Sequence, residues 1–206
     1  MNPVLTLDHV SYSYHTPSGE TPALKDVSFS VRPGSFTSIA GPSGCGKSTL
    51  LSLIAGLIAP EKGCIRFYKS DAMPAAARIG YMLQHDTLLE WRTIYKNILL
   101  GLEVTHQCTE QKKRLAADMM HDYGLASFKN AHPSELSGGM RQRAALIRTL
   151  VLEPDILLLD EPFSALDYQT RLEVSDDIFR IIKEQEKTAL LVTHDISEAI
   201  AMGEQV

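Results

Sequence analysis

The chain has 206 residues, which is enough for one domain with its own core, or for a domain with a subdomain. Its formal net charge of −5 at pH 7 argues against a general binder of nucleic acid or of anionic membranes. Its three cysteines, Cys45, Cys64 and Cys108, are odd in number and far apart, which argues against a disulfide framework or a metal site. The first residues show neither the basic nor the long apolar region of a secretion signal, and no apolar run reaches the ~20 residues that span a membrane. We therefore expect a soluble protein that reaches a membrane only through a partner.

Strand patterns dominate the first 85 residues. Short or alternating apolar runs predict strands over residues 5–14, 23–31, 35–40, 64–68 and 78–84. The Thr-Pro-Ser-Gly sequence at 16–19 predicts a turn between the first two strands. The apolar residues 50–58 predict a helix after the third strand.

Helical patterns dominate residues 86–133, where helices are predicted over 94–102 and 110–123. The segment 135–139 opens a further helix that runs to about residue 152, with Ser137 as its N-cap. The rest of the chain alternates apolar strands at 155–160 and 188–193 with helices at about 168–186 and 196–202. The inner face of helix 168–186 is predicted to carry Leu172, Ser175, Ile178, Phe179 and Ile182. Alternating strands and helices predict an α/β fold with a mostly parallel sheet.

A glycine-rich loop lies between the predicted strand 35–40 and the helix that follows it. Its sequence fits the G-x-x-x-x-G-K-[ST] pattern of phosphate-binding loops, whose backbone N–H groups surround a phosphate at a helix N-terminus. The lysine can reach the β- and γ-phosphates, and the serine hydroxyl after it can bind Mg²⁺. The predicted nucleotide-binding residues are Gly41, Pro42, Ser43, Gly44, Cys45, Gly46, Lys47, Ser48 and Thr49.

Two further stretches fit a nucleotide hydrolase. Asp160 ends an apolar strand, as a carboxylate that positions Mg²⁺ does, and Glu161 beside it is a candidate to orient and deprotonate a water. Residues 136–143 combine an N-capping serine, two glycines and a helix start, which indicates a second anion site. A chain with one phosphate loop and a second anion-binding helix N-terminus suggests that two copies bind the same nucleotide between them.

Because these motifs occur together and in this order, the sequence resembles the ATP-binding subunit of an ABC transporter over essentially the whole chain. The phosphate loop matches Walker A, residues 155–160 with Glu161 match Walker B and its catalytic glutamate, and 136–143 match the ABC signature. The resemblance implies that Ser137, Gly138 and Gly139 contact the ATP of the opposite subunit. It places Gln84 in the Q-loop, Asp167 in the D-loop and His194 at the switch position, and it places Tyr14 on the adenine, with Tyr12 as the alternative. The implied catalytic residues are Glu161, His194, Gln84 and Lys47, and the implied Mg²⁺ ligands are Ser48, Gln84 and Asp160.

The resemblance also implies an architecture. Residues 1–206 would form a single ABC-type ATP-binding domain with a P-loop NTPase core and N-terminal antiparallel strands. Residues 1–85 and 134–206 would form the RecA-like core, and residues 86–133 an inserted helical subdomain that continues into the signature helix. Members of this family continue past the switch histidine with further strands and helices, so we expect either that the chain is truncated at Val206 or that the edge of the sheet is completed otherwise.

A narrower resemblance concerns the importers of nitrate, sulfonates and taurine. Leu88-Leu-Glu-Trp91 is similar to their Leu-Leu-Pro-Trp pattern, with Glu90 in place of proline. This implies a subunit that hydrolyses ATP with Mg²⁺ and dimerises when ATP binds. It would sit on the cytoplasmic face of the membrane with two transmembrane permease subunits, and a periplasmic or lipoprotein solute-binding protein would deliver the solute. Trp91 is then either a docking aromatic for the permease or a core residue of the helical insertion.

Two other function classes are alternatives to a transporter subunit. A soluble ABC-type ATPase of DNA repair or translation usually carries long insertions or two cassettes, whereas only 53 positions separate Gln84 from Ser137 here. A P-loop kinase of small molecules has no use for residues 136–143. No nucleic-acid partner is expected.

Overall fold

The structure is a computed structural model that describes residues 2–17, 19–68, 73 and 76–204. The chain divides into two compact units. Unit 1 comprises Met1–Ile79, Asp155–Asp160 and Glu186–Val206, and unit 2 comprises Gly80–Pro154 and Glu161–Gln185. The predicted helical subdomain, residues 86–133, falls within the range of unit 2. None of the helices in the described part of the chain is long and apolar enough to cross a membrane.

The elements follow the predicted order of strands and helices. The strands are β1 (Leu5–Thr16), β2 (Gly19–Val31), β3 (Phe36–Ala40), β4 (Lys62–Phe67), β5 (Ile79–Met82), β6 (Ile156–Asp160) and β7 (Thr188–Thr193). The α-helices are α1 (Lys47–Ile54), α2 (Ile94–Val104), α3 (Glu110–Asp122), α4 (Gly138–Leu150), α5 (Tyr168–Glu184) and α6 (Ile196–Met202). β1 continues to Thr16 and β2 begins at Gly19, so the strands flank the predicted turn at 16–19, in which Ser18 lies outside the described residues.

Two sheets organise unit 1. The antiparallel sheet has the order β2-β1-β4, and Leu5 of the central strand pairs with Val31 on one side and Phe67 on the other. In the other sheet, β3, β7 and β6 are parallel neighbours in this order. Every residue of β6 and β7 is buried, as expected for strands covered on both faces. The predicted α/β fold with a parallel sheet and N-terminal antiparallel strands is therefore confirmed.

The helices of unit 2 bury apolar faces with helical spacing. Ile94, Ile98 and Leu102 lie on one face of α2 and are fully buried. The predicted inner face of α5 is wrong at one residue, because the side chain of Leu172 is 51% exposed. The buried face is centred on Val174, Ile178, Ile181 and Ile182. Leu172 precedes Val174 by two positions, which turns its side chain about 200° around the helix axis.

Helix α1 begins three residues earlier and ends four residues earlier than the apolar pattern of residues 50–58 predicts. It ends because Gly56 adopts a left-handed conformation, with φ of 71°. The N–H of Leu57 then donates to the carbonyl of Ser52, and the N–H of Gly56 donates to that of Leu53. These two bonds satisfy the last carbonyls of the helix in a Schellman motif. A run of apolar residues therefore does not fix the length of a helix.

The glycines at the two ends of α1 both have positive φ, but only Gly46 is closely packed. Substituting each one separates the cost of the backbone conformation from the cost of the close contact. Gly46 caps the start of α1 with φ of 99°, and a Cβ added there would lie 2.5 Å from the carbonyl oxygen of Ala23. A Cβ added to Gly56 would meet no atom within 4 Å. We expect Gly56→Ala to lower the free energy of unfolding by about 1–2 kcal/mol, the cost of a left-handed alanine. Gly46→Ala should lower the free energy of unfolding by about 1–3 kcal/mol more, because the added Cβ would force β2 to shift. Urea unfolding without nucleotide measures both, and equal losses would contradict the close approach.

Candidate functional site

The loop after β3 lies at the carboxyl ends of the parallel strands of unit 1. Ala40 at the end of β3 pairs with Thr193 at the end of β7, and Asp160 at the end of β6 pairs with Val192. The N–H of Gly41 donates to the carbonyl of Thr193 over 3.2 Å. This register brings the starts of three loops to one edge of the sheet, where α/β proteins bind their ligands.

Lys47 is held inside the loop. Its side chain is nearly buried, and its Nζ donates to the carbonyl oxygens of Gly41 at 2.8 Å and Pro42 at 2.9 Å. Gly46, the N-cap residue before it, has no side chain to satisfy the N–H groups of the first helical turn. A buried cation beside a helix N-terminus that has no capping side chain forms an environment that favours an anion.

Ser48 and Asp160 form the candidate metal site of unit 1. The Ser48 hydroxyl donates to Oδ1 of Asp160 over 2.9 Å, and Asp160 is only 7% exposed. A hydroxyl and one carboxylate are hard oxygen donors of the kind that bind Mg²⁺ together with substrate phosphates. The donor set therefore fits this metal ion, and the two residues lie close enough to bind it together.

His194 follows β7 directly, and its side chain is exposed. The residues on either side of it are fixed by polar contacts. The Thr193 hydroxyl accepts from the N–H of Asp195 at 3.0 Å and donates to Oε2 of Glu198. The Asp195 carboxylate caps α6 by accepting from the N–H groups of Ser197 and Glu198. The backbone at His194 is therefore held at both sides of an exposed residue.

Tyr14 and Tyr12 lie close together near the end of β1. Their rings meet edge to face, with centroids 5.1 Å apart and an interplanar angle of 89°. The Tyr14 ring is 44% exposed, and its hydroxyl is 3.0 Å from Oγ1 of Thr49 in α1. The hydroxyl contact ties this ring to the helix that carries the phosphate loop, whereas Tyr12 has the less exposed position. Both observations favour Tyr14 as the stacking platform.

In unit 2, Ser164 connects two of the predicted catalytic residues. Its hydroxyl donates to the main-chain carbonyl of Glu161 over 2.9 Å and accepts from Nε2 of Gln84 over 3.3 Å. Glu161 adopts a left-handed conformation with φ of 43°, which a non-glycine residue seldom takes. The serine therefore supports a strained turn at Glu161 and orients the amide of Gln84. The sequence offered no local signal for this contact, because Gln84 and Ser164 lie 80 positions apart.

The signature segment has the predicted helix cap. The Ser137 hydroxyl accepts from the N–H of Met140 over 3.3 Å, at the exposed start of α4. A Cβ on Gly138 would lie 2.8 Å from Cδ2 of Leu166, and one on Gly139 would lie 2.5 Å from Cγ2 of Val174. Glycine at these positions lets α4 pack closely against the D-loop and α5. That these residues contact a second subunit's ATP stays a prediction.

Asp167 of the predicted D-loop is the N-cap of α5. Its carboxylate accepts from the N–H of Thr170 over 3.1 Å. Hydrogen bonds from Thr170 lower the pKa of Asp167 from its ordinary value. The bond from the Thr170 side chain has the largest effect, and the bond from its backbone N–H comes next. Its negative charge also favours the helix N-terminus that it caps. The structure therefore gives Asp167 a local helix-capping role beside the one predicted.

Sequence comparison identifies a family and close relatives. The family described as ABC transporter matches residues 24–164. The chain is 50% identical, over 98% of its length and 78% of the relative, to an uncharacterized ABC transporter ATP-binding protein, YtlC, of Bacillus subtilis. It is 44% identical, over 91% of its length and 73% of the relative, to the aliphatic sulfonates import ATP-binding protein SsuB 1 of Rhodococcus jostii. These findings confirm the predicted resemblance, including the narrower group of importers.

Structural comparison agrees with the sequence. The dimeric structure of a post-hydrolysis state of the ATP-binding cassette MJ0796, bound to ADP and Pi, superimposes with a TM-score of 0.78. It is 32% identical, and the match covers 97% of this chain and 91% of the other. The predicted fold class and the predicted ATPase activity are confirmed by this cassette and by the family.

The two tyrosines permit a direct comparison. If the exposed Tyr14 ring stacks on adenine, Tyr14→Ala should weaken ATP binding by roughly 1–3 kcal/mol, which is the contribution of a stacked aromatic. Tyr12→Ala should have a smaller effect, because it removes only the edge contact, and Tyr14→Phe should keep most of the affinity. Equilibrium titration with ATP measures all three variants. The reverse order of the two alanine variants would assign the platform to Tyr12.

Proposed function

The chain belongs to the ABC transporter family, and we propose that it is the ATP-hydrolysing subunit of an importer of the nitrate, sulfonate and taurine type. The observation that carries the ATPase part is the arrangement of Lys47, Ser48 and Asp160 at the common edge of β3 and β6. The sulfonate-import relative supports the solute class. Relatives named for transport favour this function over the alternative in DNA repair or translation.

The residues of unit 1 suit binding and charge neutralisation. Lys47 would exchange its contacts with the loop carbonyls for the β- and γ-phosphates. Ser48 and Asp160 would hold Mg²⁺, with the Q-loop residue Gln84 as the third proposed ligand. The metal would neutralise phosphate charge when it is bound. His194, exposed beside the loop of β3, would donate to the γ-phosphate, and Tyr14 would stack on the base.

The residues of unit 2 suit water activation and dimer formation. Glu161 would orient the attacking water and accept its proton. Ser137 and Gly139 of one copy would contact the ATP bound by a second copy, so that ATP joins two chains and hydrolysis releases them. The dimeric cassette structure at 32% identity supports this arrangement. Two permease subunits at the cytoplasmic face would receive the motion, and a solute-binding protein would supply the solute.

Trp91 is the proposed permease contact. Its side chain is 76% exposed, so the alternative interpretation as a core tryptophan is wrong. A large exposed aromatic can anchor an interface because it buries much area at little conformational cost.

The dimer proposal predicts the behaviour of Glu161→Gln. This change removes the base but leaves Lys47, Ser48 and Asp160, so hydrolysis should fall at least ~10²-fold while ATP still binds. The uncleaved nucleotide should then hold two copies together. Light scattering after size exclusion should show a monomer without nucleotide and a dimer with MgATP. Adding Ser137→Arg should restore the monomer by filling the anion site, and a monomeric Glu161→Gln at saturating MgATP would contradict the sandwich.

The docking proposal predicts a separation of two activities. Trp91→Ala should leave MgATP binding by the isolated chain unchanged, because the ring is exposed and distant in sequence from the phosphate loop. It should lower co-purification with the two proposed permease subunits by about tenfold, as the loss of a buried aromatic anchor does. Val104→Ala removes another exposed apolar side chain of unit 2 and serves as the control. Equal co-purification of both variants with wild type would exclude Trp91 from the interface.

A further inference from the structure

The turn after Gln84 contains a strained residue. Thr87 has φ of 49°, in the left-handed region, and is exposed. For a β-branched residue this conformation is a genuine outlier, and it persists only where surrounding contacts hold it. Thr87 lies three positions after Gln84. The conformation of this turn therefore helps to set the position of the Gln84 backbone after the end of β5.

The contacts that hold Thr87 come from one arginine of the signature helix. The Arg148 guanidinium donates to the carbonyl oxygen of Thr87 at 2.9 Å, to its Oγ1 at 3.0 Å and to the carbonyl oxygen of Asp86 at 2.7 Å. The planar fork of an arginine matches three acceptors in one turn, which a lysine ammonium on its flexible stem does not. Burial lowers the pKa of Arg148, and the nearby Asp86 carboxylate opposes that shift.

A second arginine of the same helix holds the other side of the turn. Nε of Arg141 donates to Oδ2 of Asp86 over 3.0 Å, and Oδ1 of Asp86 accepts from the N–H of Leu88 over 3.1 Å. Arg141 also donates to the carbonyl of Leu136, the residue before Ser137. The helix that begins at Ser137 therefore holds residues 86–88 through two side chains, and all of these residues belong to unit 2.

We propose that Arg148 is a positioning residue for ATP hydrolysis, which holds the Thr87 turn in its left-handed conformation and so fixes Gln84 relative to the signature helix. This inference rests on the role proposed above for Gln84. The signature helix and the Thr87 turn are then directly linked within unit 2. A displacement of α4 at its Ser137 end would also displace the turn beside Gln84. Ser164 then holds the Gln84 amide from the other side.

A merely structural arginine would behave differently. If Arg148 only stabilised the fold, its loss would lower the melting temperature and nucleotide affinity together, and the conformation of Thr87 would not matter. If it positions the turn, its loss should lower kcat while MgATP affinity is kept, because Lys47, Ser48 and Asp160 belong to unit 1 and Arg148 belongs to unit 2. A residue that adopts the left-handed conformation without help should then compensate for the lost arginine.

The test uses the full chain with two variants and a control. Arg148→Lys keeps the charge but removes the fork, and we expect kcat to fall by ten- to a hundredfold, the order expected for a misplacement of about 1 Å. MgATP affinity should stay within about twofold of wild type. Thr87→Gly added to Arg148→Lys should recover most of the lost kcat, because glycine takes positive φ freely. Arg92→Lys removes another partly buried arginine of unit 2, paired with Glu103, and should not lower kcat.

Hydrogen exchange gives a readout that does not depend on activity. Amides of residues 85–89 should exchange faster in Arg148→Lys than in wild type, while those of α2 should be unchanged. The inference is overturned if Arg148→Lys hydrolyses ATP at the wild-type rate, or if Thr87→Gly restores nothing. It is also overturned if Arg92→Lys lowers kcat equally.

Gln84→Ala separates the inference from the function on which it rests. If Gln84→Ala hydrolyses ATP normally, the proposed role of Gln84 is wrong and the inference falls with it. If Gln84→Ala is impaired while Arg148→Lys is normal, the proposed function stands and only the positioning role of Arg148 is lost.

Discussion

The register of β3, β7 and β6 is the constraint on which the site of unit 1 depends. Pairing of Ala40 with Thr193 and of Asp160 with Val192 brings the three strand ends to one level. The start of β7 is fixed as well, because Ala189 donates to the carbonyl of Ser35 and the Thr188 hydroxyl accepts from the N–H of Gly34. A shift of one residue would move Asp160 away from Ser48, and the pair of oxygen donors would be lost.

The sequence was informative wherever chemistry and local structure coincide in a short segment. The loop from Gly41 to Thr49 carries its own lysine, its own glycines and its own helix start, so one pattern predicts them together. The cap at Ser137 is a bond across three residues, and Asp160 is marked by the apolar strand that it ends. These features needed no knowledge of which distant residues meet.

The predictions that failed, and the contacts that were missed, depend on packing, on distant partners or on a local backbone conformation. The end of α1 is set by the conformation of Gly56, which apolar spacing cannot show. Leu172 is apolar but lies on the wrong side of α5, because the buried face is decided by what the helix packs against. Ser164 meets a side chain 80 positions away, and Arg148 meets Thr87 at a separation of 61. The bounds of the helical subdomain and the roles given to individual residues stay predictions.

One physical device occurs twice in unit 2. Glu161 and Thr87 are both non-glycine residues in the left-handed region, and in each case a side chain holds the carbonyl oxygen of the strained residue. Such a conformation costs about 1–3 kcal/mol, which is comparable with the net stabilisation from the few hydrogen bonds that hold it. Because the strain and the contacts that oppose it are of similar size, the loss of one polar contact would favour a relaxed backbone conformation. Both strained residues lie within three positions of a proposed catalytic or metal-binding side chain, Glu161 being one itself. The strain therefore lies where a nucleotide-driven change of loop conformation would alter catalysis most directly.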